Sequence, residues 1–348
     1  VLMDINDAIL NEKPYAIKGW FNIRFNHLIN VAETMKSIEA MKKLDFIVVS
    51  DVYLNDMATF ADVILPESSY LERDEGIEDK SGLKPAYMIR NKVIDPVGDT
   101  RDGAFIFREL ARRMKIDELY TWNDIREFRM QQAGGDVNLL AALEKDGFIT
   151  WDEPGILFRE KGMIDKFIAK YPVAAKFVGE NGLMDDMAKL KTKSGKIELF
   201  LPDVEAQFAG YGALNDKDMD TFDGHDLCLT CGKTPIHTNG HTQAVPSLHD
   251  LMSDSPIWIN PKTAKRKNLR DGDMVVVKNK FGEQKGKLMV TEGIREDTLF
   301  IYHGFGHITP ALKSIDHVGL NTSVLLNPAE GPVAATMVTN VGVSISKA

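Results

Sequence analysis

The feature that most constrains the fold is an alternation of strand-like and helix-like segments over the first 66 residues. Runs rich in β-branched, aromatic or aliphatic residues predict three strands, at Tyr15–Ile23, Asp45–Ser50 and Asp62–Leu65. Apolar residues at helical spacing predict a helix that Asn30 caps and that extends to Met41, and residues 55–60 predict a shorter one. Strands that alternate with helices in this way are typical of a parallel α/β sheet.

A further helix is predicted over residues 102–114. Its apolar side chains, among them Phe105 and Phe107, are expected to face inward, and Arg108 is expected to face outward. Residues 120–191 contain only short helical segments, which Gly134, Gly135 and other breakers interrupt.

The last part of the chain has a different pattern. After Ser194-Gly195, short strand-like runs alternate with turns that contain glycine, such as Asp271-Gly-Asp273. Asn260-Pro261 predicts the start of a helix through Asn268. The predicted strands are Ile197–Leu201, Ile257–Ile259, Met274–Val277, Leu288–Val290, Leu299–Tyr302 and Val338–Ser346. This pattern predicts a β-barrel or β-sandwich, and we place the boundary between two domains near residue 195.

Composition limits the classes of function. At 348 residues, with 44% hydrophobic and 27% charged residues, the chain has the size of two ordinary globular domains. The 42 basic and 51 acidic residues give a net charge of −9, which argues against a broad surface for nucleic acid or anionic lipid but allows a local anion pocket. No apolar run approaches the ~20 residues that cross a bilayer, so we expect no direct membrane insertion.

Asp51 is the first candidate site residue. It follows a strand of the predicted parallel sheet, at the edge where α/β proteins bind ligands. A carboxylate there suits a ribose diol or the N–H groups of guanine, and it equally suits a turn or a helix N-cap. No Gly-x-Gly-x-x-Gly motif follows the predicted strand at residues 45–50 or the one at residues 62–65, which argues against an ordinary dinucleotide fingerprint.

Two segments of the last part combine glycines with polar side chains. Residues 232–243 place hydroxyl, amide, imidazole and ammonium groups beside glycines, which suits an oxyanion or an ordinary solvated loop. Residues 302–307 place aromatic rings beside glycines, which would let a flat ligand approach the backbone. Cys228 and Cys231 form a single Cys-x-x-Cys pair, which we interpret as structural, and glycine or proline breaks both histidine pairs that might bind zinc.

Several segments, taken in order, carry a resemblance to a known superfamily. They are DFIVVSDVYL (45–54), ATFADVILP (58–66), SGKIEL (194–199) and residues 259–277. Together they resemble the C-terminal half of a molybdenum oxidoreductase of the dimethyl-sulfoxide-reductase superfamily, although the first two letters of the second segment are reversed here. Residues 302–307 and 327–335 are most similar to the catalytic subunits of polysulfide and thiosulfate reductases.

The resemblance implies the fold and the cofactor. The fold would be an incomplete, Rossmann-like α/β parallel-sheet domain over residues 1–195, followed by a double-psi β-barrel domain over residues 196–348. The cofactor would be a pair of molybdopterin guanine dinucleotides that carry molybdenum. Asp51 matches the position that pairs with guanine. The implied contacts along the dinucleotide are Gly232, Lys233, His237, Thr238, Asn239 and Thr242.

Three further residues are implied nearer the pterin. Asn321 matches an amide position that faces the pterin, and His307 would lie near the pterin or the substrate channel. His303 is the candidate catalytic residue, because an imidazole could deliver a proton to the leaving sulfur. None of these residues is expected to bind the metal.

The resemblance also implies what the whole enzyme contains. Its 4Fe-4S cluster and the metal ligand would lie in an N-terminal part, so we expect this chain to be a truncated piece that is inactive alone. The intact enzyme would reduce polysulfide or thiosulfate in the periplasm, with an iron–sulfur subunit and a membrane quinone subunit as partners. The alternatives are a reductase or dehydrogenase for arsenate, nitrate or formate, a non-catalytic dinucleotide-binding module, or a structural fragment that binds nothing.

Overall fold

The structure is a computed structural model that describes residues 4–80, 85–150, 224–328, 337–338 and 341–348. The chain divides into two compact units: residues 1–66 and 203–348 form one, and residues 67–202 form the other. The boundary predicted at residue 195 and the strand predicted at residues 197–201 lie outside the described residues, so both stay predictions.

A parallel sheet of three strands opens the first unit. Its strands are β1 (Gly19–Ile23), β2 (Phe46–Asp51) and β3 (Val63–Pro66), with β2 in the centre. The predicted parallel sheet is therefore confirmed, although β1 begins later than the sequence indicates. Ile47 and Val49 lie on one face of β2 and pack against residues that follow β1 and β2 in the chain. Together these side chains form a small core that is separate from the core of the barrel described below.

The helices of this region are α1 (Asp4–Asn11), α2 (His27–Asn30), α3 (Thr34–Lys43) and a 3₁₀ helix, Asp56–Phe60. The prediction that Asn30 caps one long helix is wrong, because α2 ends at Asn30 and α3 begins only at Thr34. The buried face of α3 also differs from the predicted one: Met35 is 52% exposed, whereas Ser37 is buried. The reason is α1, whose Asn6 side chain donates to Ser37 Oγ over 2.8 Å.

The rest of the first unit contains a closed barrel of six strands. They are β7 (Leu227–Gly232), β8 (Ile257–Ile259), β9 (Met274–Asn279), β10 (Gly282–Val290), β11 (Thr298–Tyr302) and β14 (Val341–Lys347), in the order β10-β8-β11-β7-β14-β9. Pairing of β9 with β10 closes the barrel. Alternate aliphatic side chains fill its interior, for example Leu227 and Leu229. Of the two predicted architectures, the structure has the barrel.

Among its described residues, this unit also contains α7 (Pro246–His249), α8 (Pro261–Arg266), a 3₁₀ helix (Thr322–Val324) and the short pair β12 (Asn327–Pro328) and β13 (Met337–Val338). The predicted cap of α8 is confirmed: Asn260 Oδ1 accepts from the N–H of Lys262 over 3.0 Å, and Pro261 is the first helical residue.

Within residues 67–80 and 85–150, the second unit contains a small antiparallel sheet and three α-helices. They are β4 (Glu78–Lys80), β5 (Ala86–Met88), β6 (Phe148–Thr150), α4 (Gly103–Met114), α5 (Ile125–Gln132) and α6 (Val137–Asp146), with a 3₁₀ helix at Asp117–Leu119. The orientation predicted for Phe105 and Arg108 of α4 is wrong. Arg108 is buried because it donates to the carbonyl of Asn123 and lies 5.2 Å from the Trp122 ring, while Phe105 is 39% exposed.

Candidate functional site

The carboxylate of Asp51 lies at the end of β2 and is held in a turn. Its Oδ1 accepts from the N–H groups of Val52 (2.7 Å) and Tyr53 (3.3 Å), and its Oδ2 accepts from Nδ2 of Asn55 (2.7 Å). These bonds are those of a turn, which the sequence left as an alternative. The side chain is half-buried, and its role toward guanine stays a prediction.

Asp56, the residue after Asn55, is a fully buried carboxylate that joins distant segments. Its Oδ2 accepts from Nδ2 of Asn26 (2.5 Å) and from Nδ1 of His307 (2.6 Å), and its Oδ1 accepts from the N–H of Ile308. Burial alone would raise the pKa of Asp56, but these hydrogen bonds and the charge of His307 together lower it. Asp56 is therefore an ionised carboxylate that the residues after β1 and a barrel loop both contact.

Two more hydrogen bonds connect the segment after β2 to the barrel loop of residues 303–309. The hydroxyl of Thr59 donates to the carbonyl of Ile308 over 3.1 Å. The hydroxyl of Thr309 donates to the carbonyl of Leu54. Since Asp56 lies between Leu54 and Thr59, the whole segment is fixed against this loop, and so is the position of Asp51.

Internal hydrogen bonds determine the shape of the barrel loop of residues 237–243. His237 is buried, its Nε2–H donates to the carbonyl of Met252 (2.7 Å), and its Nδ1 accepts from the hydroxyl of Thr242 (3.3 Å). The oxygen of that hydroxyl in turn accepts from the N–H of Thr238 (2.9 Å). His237 and Thr242 thus hold the loop, whereas Thr238 is exposed.

Asn239 lies where this loop meets the loop of residues 303–309. Its backbone is left-handed, with φ of 50°, and its Oδ1 accepts from Nε2 of His303 over 3.1 Å. Gly304 packs directly against it: a Cβ on Gly304 would lie 2.6 Å from the carbonyl carbon of Asn239. Burial and the charge of Lys233 lower the pKa of His303, so its ring stays neutral and donates through Nε2 at neutral pH.

Asn321 connects the barrel to α2. It is buried, its Nδ2 donates to the carbonyl of Leu28 (3.0 Å), and its Oδ1 accepts from the N–H of Ser323 (2.9 Å). The hydroxyl of Ser323 donates to the carbonyl of Ile29 over 2.6 Å. The amide of Asn321 therefore satisfies the end of a short helix, and a role toward the pterin stays a prediction.

Cys228 and Cys231 both lie in β7, as free thiols. Their spacing of three places them on opposite faces of the strand. Burial raises the pKa of the Cys231 thiol to about 12, so this thiol is not ionised at neutral pH. These observations agree with the structural interpretation of the pair.

The structure therefore divides the predicted site residues into two groups. In the first group the polar groups are already bound within the protein, and these residues are His237, Thr242, His307 and Asn321. The second group consists of polar residues that are at least partly accessible, and these residues are Asp51, Lys233, Thr238 and Asn239. Gly232 ends β7, and its carbonyl accepts from the N–H of His303 over 3.0 Å.

Sequence reasoning missed three of the residues that help to hold these loops together: Asn26, Asp56 and Thr309. Asp56 follows an N-cap residue, where an acidic side chain is common, so nothing in the sequence distinguishes it. Asn26 lies before a helix of four residues and has no capping bond. The partners of Asp56 and Thr309 are about 250 residues away in the chain, a separation that no local pattern reports.

Comparison with known proteins identifies the family. Residues 4–113 match the molybdopterin oxidoreductase family, and residues 227–338 match the molydopterin dinucleotide binding domain. The thiosulfate reductase molybdopterin-containing subunit PhsA of Salmonella typhimurium is 38% identical over 348 residues, which is 100% of this chain and 46% of that protein. The chain belongs to the molybdopterin oxidoreductase family.

Two further similar proteins match over most or all of this chain at lower identity. Acetylene hydratase of Syntrophotalea acetylenica is 25% identical over 337 residues, which is 92% of this chain and 41% of that protein. The solved structure of acetylene hydratase from Pelobacter acetylenicus shares the fold, with a TM-score of 0.73 at 21% identity over 100% of this chain and 46% of that one. The chain spans about half the length of the curated relatives it matches.

The described ranges also limit the membrane and metal sites that this part of the chain can contain. Within them, no helix has the length and apolar character needed to pass through a membrane. The same ranges contain no group of three or more His, Cys, Asp or Glu side chains arranged to hold a metal ion.

Proposed function

We propose that this chain binds molybdopterin guanine dinucleotide through the loops around Asp51 and Asn239. One observation carries the proposal: the end of β2 and the barrel loops form a continuous set of contacts. Asp51 contacts Asn55, the next residue bonds to His307, and His303 bonds to Asn239. A ligand that follows these loops would therefore reach both the predicted guanine contact and the predicted dinucleotide contacts.

The residues present fit such a ligand. Among the described residues, Oδ1 of Asn26 and Oε1 of Gln243 are buried acceptors without a hydrogen-bond partner. A buried acceptor without a donor is costly, and guanine and pterin rings both carry N–H donors. Lys233, Thr238 and the amide nitrogen of Asn239 are donors that suit the charge of a pyrophosphate.

The proposal extends to the details of the fold. We infer that the parallel sheet is part of a Rossmann-like α/β domain and that the closed barrel has double-psi topology. The match to a dinucleotide binding domain over residues 227–338 supports the second inference. The order β1-β2-β3, with every pair parallel, supports the first.

The intact enzyme, on this proposal, reduces thiosulfate or polysulfide. Bound molybdenum would supply two-electron redox chemistry. The residues of this chain would orient the cofactor: Asp51 accepts from guanine, Lys233 and Thr238 neutralise and bind the pyrophosphate, and His303 holds the Asn239 amide so that its nitrogen faces the ligand. A proton-donor role for His303 is less favoured, because its lowered pKa leaves it neutral and its Nε2–H is bonded to Asn239.

The partners and the location are proposed from the resemblance to thiosulfate reductases. The name of the relative in Salmonella typhimurium describes a molybdopterin-containing subunit, which supports an assembly of several subunits. We propose an iron–sulfur subunit with a 4Fe-4S pathway and a membrane quinone subunit as the partners, and the periplasm as the location.

The cofactor proposal is tested on the protein purified anaerobically from cells that make the molybdenum cofactor. Mass spectrometry of the denatured protein should detect guanine nucleotide and pterin, and metal analysis should detect molybdenum. Thr238→Val and Asn239→Ala should each lower the guanine content, and His317→Gln, at an exposed position, should not. Absence of guanine nucleotide from the wild-type protein would refute the proposal.

The substrate proposal is tested with the intact enzyme, using a reduced dye that donates electrons to thiosulfate, polysulfide, arsenate or nitrate and an oxidised dye that accepts electrons from formate. Thiosulfate and polysulfide should be reduced, and arsenate, nitrate and formate should not react. Turnover with one of the last three and not with sulfur compounds would favour another member of the family. Guanine nucleotide without molybdenum would instead favour a non-catalytic binding module.

A further inference from the structure

We propose that Asp56 and His307 form a buried ion pair that positions the cofactor loops, with His307 as an imidazolium rather than as a ligand contact. The inference concerns the residues that hold the site, and its role toward the cofactor rests on the proposed function above. Neither the charge state nor the pairing depends on that function.

The charge of His307 follows from its two hydrogen bonds. Nδ1 lies 2.6 Å from Oδ2 of Asp56, and Nε2 lies 3.2 Å from the carbonyl oxygen of Gly304. Both of these oxygens accept hydrogen bonds, so each ring nitrogen must donate. A neutral imidazole carries only one N–H, so with Asp56 ionised these two contacts favour the doubly protonated ring. The side chain is 3% exposed, which leaves water no access to either nitrogen.

The carboxylate of Asp56 provides the matching negative charge. It is fully buried and accepts three hydrogen bonds, from Asn26, His307 and the N–H of Ile308. Because a protonated carboxyl would offer one of these donors an O–H instead of a lone pair, the ionised form fits the donors best. The lowered pKa of Asp56 agrees with this assignment.

The pair connects the two sets of cofactor loops. On one side, Asp56 lies five residues after Asp51 and directly after Asn55, which binds the Asp51 carboxylate. On the other side, His307 bonds to Gly304, and Gly304 packs against the backbone of Asn239. A shift of either charged group would therefore move a predicted guanine contact relative to a predicted dinucleotide contact.

A hydrogen bond between uncharged groups of the same two segments provides a control. The hydroxyl of Thr59 donates to the carbonyl of Ile308 over 3.1 Å at an exposed site. Thr59→Val removes a hydrogen bond between the segments but no charge. If any such bond were sufficient to position the loops, Thr59→Val and Asp56→Asn would have similar effects.

The charge state is measured directly by ring ¹⁵N NMR of the full chain with labelled histidine, at pH 7.5. The His307 signals are assigned by their absence in His307→Gln. Both ring nitrogens should resonate as protonated and non-exchanging, and in Asp56→Asn one of them should move to the position of an unprotonated nitrogen. An unprotonated His307 nitrogen in the wild-type protein would overturn the proposal, whatever the protein binds.

The positioning role is measured by thermal unfolding and by bound guanine nucleotide per chain. Removal of one partner of a buried pair leaves the other charge unpaired or forces it to become neutral and lose a hydrogen bond, so Asp56→Asn and His307→Gln should each lower Tm by about 6 °C or more. The double variant should lose less than the sum of the two. Asp56→Asn should reduce bound guanine nucleotide at least tenfold, whereas Thr59→Val should retain most of it.

The outcomes separate the two proposals. Wild-type protein without guanine nucleotide would refute the proposed function, and the NMR and unfolding measurements would still test the ion pair. Additive effects of the two substitutions, or full nucleotide content in a folded Asp56→Asn variant, would refute the positioning role. If Asp56→Asn does not fold, Asp56→Glu, which keeps the charge, should fold and restore the protonated ring, and its failure to do so would contradict the proposal.

Discussion

His27 should make the stability of the protein depend on pH below neutrality. Its side chain is fully buried, and neither ring nitrogen has a hydrogen-bond partner among the described residues. The Trp20 ring lies edge-on to it with centroids 4.9 Å apart, and the Phe25 ring lies 6.1 Å away. Burial in these surroundings lowers the pKa of His27 to about 4, because no neighbouring group stabilises the charged ring.

The sign and size of the effect follow from the two pKa values. An exposed histidine in the unfolded chain has a pKa near 6.5, so between pH 6.5 and 4 the unfolded state binds a proton that the folded state does not. The free energy of unfolding contributed by His27 is therefore complete above pH 6.5 and falls as the pH decreases. The loss should reach about 2 kcal/mol at pH 5 and about 3 kcal/mol at pH 4.

Urea unfolding at pH 7.5, 6.5 and 5.0 measures this loss, with His27→Leu as the test variant. The apolar side chain cannot bind a proton, so the difference in unfolding free energy between pH 7.5 and 5.0 should be about 2 kcal/mol smaller than in the wild-type protein. His241→Gln, at an exposed histidine, should leave the wild-type difference unchanged. An equal pH dependence in His27→Leu and in the wild-type protein would refute the reasoning.

Three further predictions concern local structure. Gly304→Ala places a Cβ against the backbone of Asn239 and should abolish retention of guanine nucleotide, whereas Gly98→Ala, which also has positive φ but open surroundings, should not. With a pKa of about 12, the Cys231 thiol should not react with Ellman's reagent at pH 8 until urea unfolds the protein. Asn55→Ala removes an N-cap and should lower the free energy of unfolding by about 1 kcal/mol, measured by chemical denaturation.

Those parts of the fold that depend on residues close together in the sequence could be predicted from it. The run from Asp45 to Ser50 predicts β2, and residues 47–50 are buried because their side chains suit the interior of a sheet, whereas Phe46 is 49% exposed. Asn260 caps α8 through a bond to a residue only two positions away. In each case the interaction that decides the structure lies within a few residues, so the local pattern contains it.

The errors occurred where a distant element decides which face of a helix is buried. Met35 suits the interior by composition, but α1 packs against the side of α3 that carries Ser37, and Met35 is left outside. Arg108 is charged, yet it is buried because the Trp122 ring covers its guanidinium and a backbone carbonyl accepts a hydrogen bond from it. Helical spacing gives the period of the apolar residues and not the identity of the neighbour.

The candidate site shows the same limit more sharply. Its accessible donors, such as Thr238 and Asn239, could be predicted because glycines and polar side chains concentrate in one stretch of the sequence. Asp56 could not be predicted, since a buried carboxylate is stable only beside its counter-charge, and that counter-charge is 251 residues away. A polar residue that contacts a ligand must be accessible and is visible in composition, whereas a residue that holds the site is buried and is defined by its partner. Substitutions in the second class should therefore affect stability and ligand retention together, and those in the first class should affect ligand retention alone.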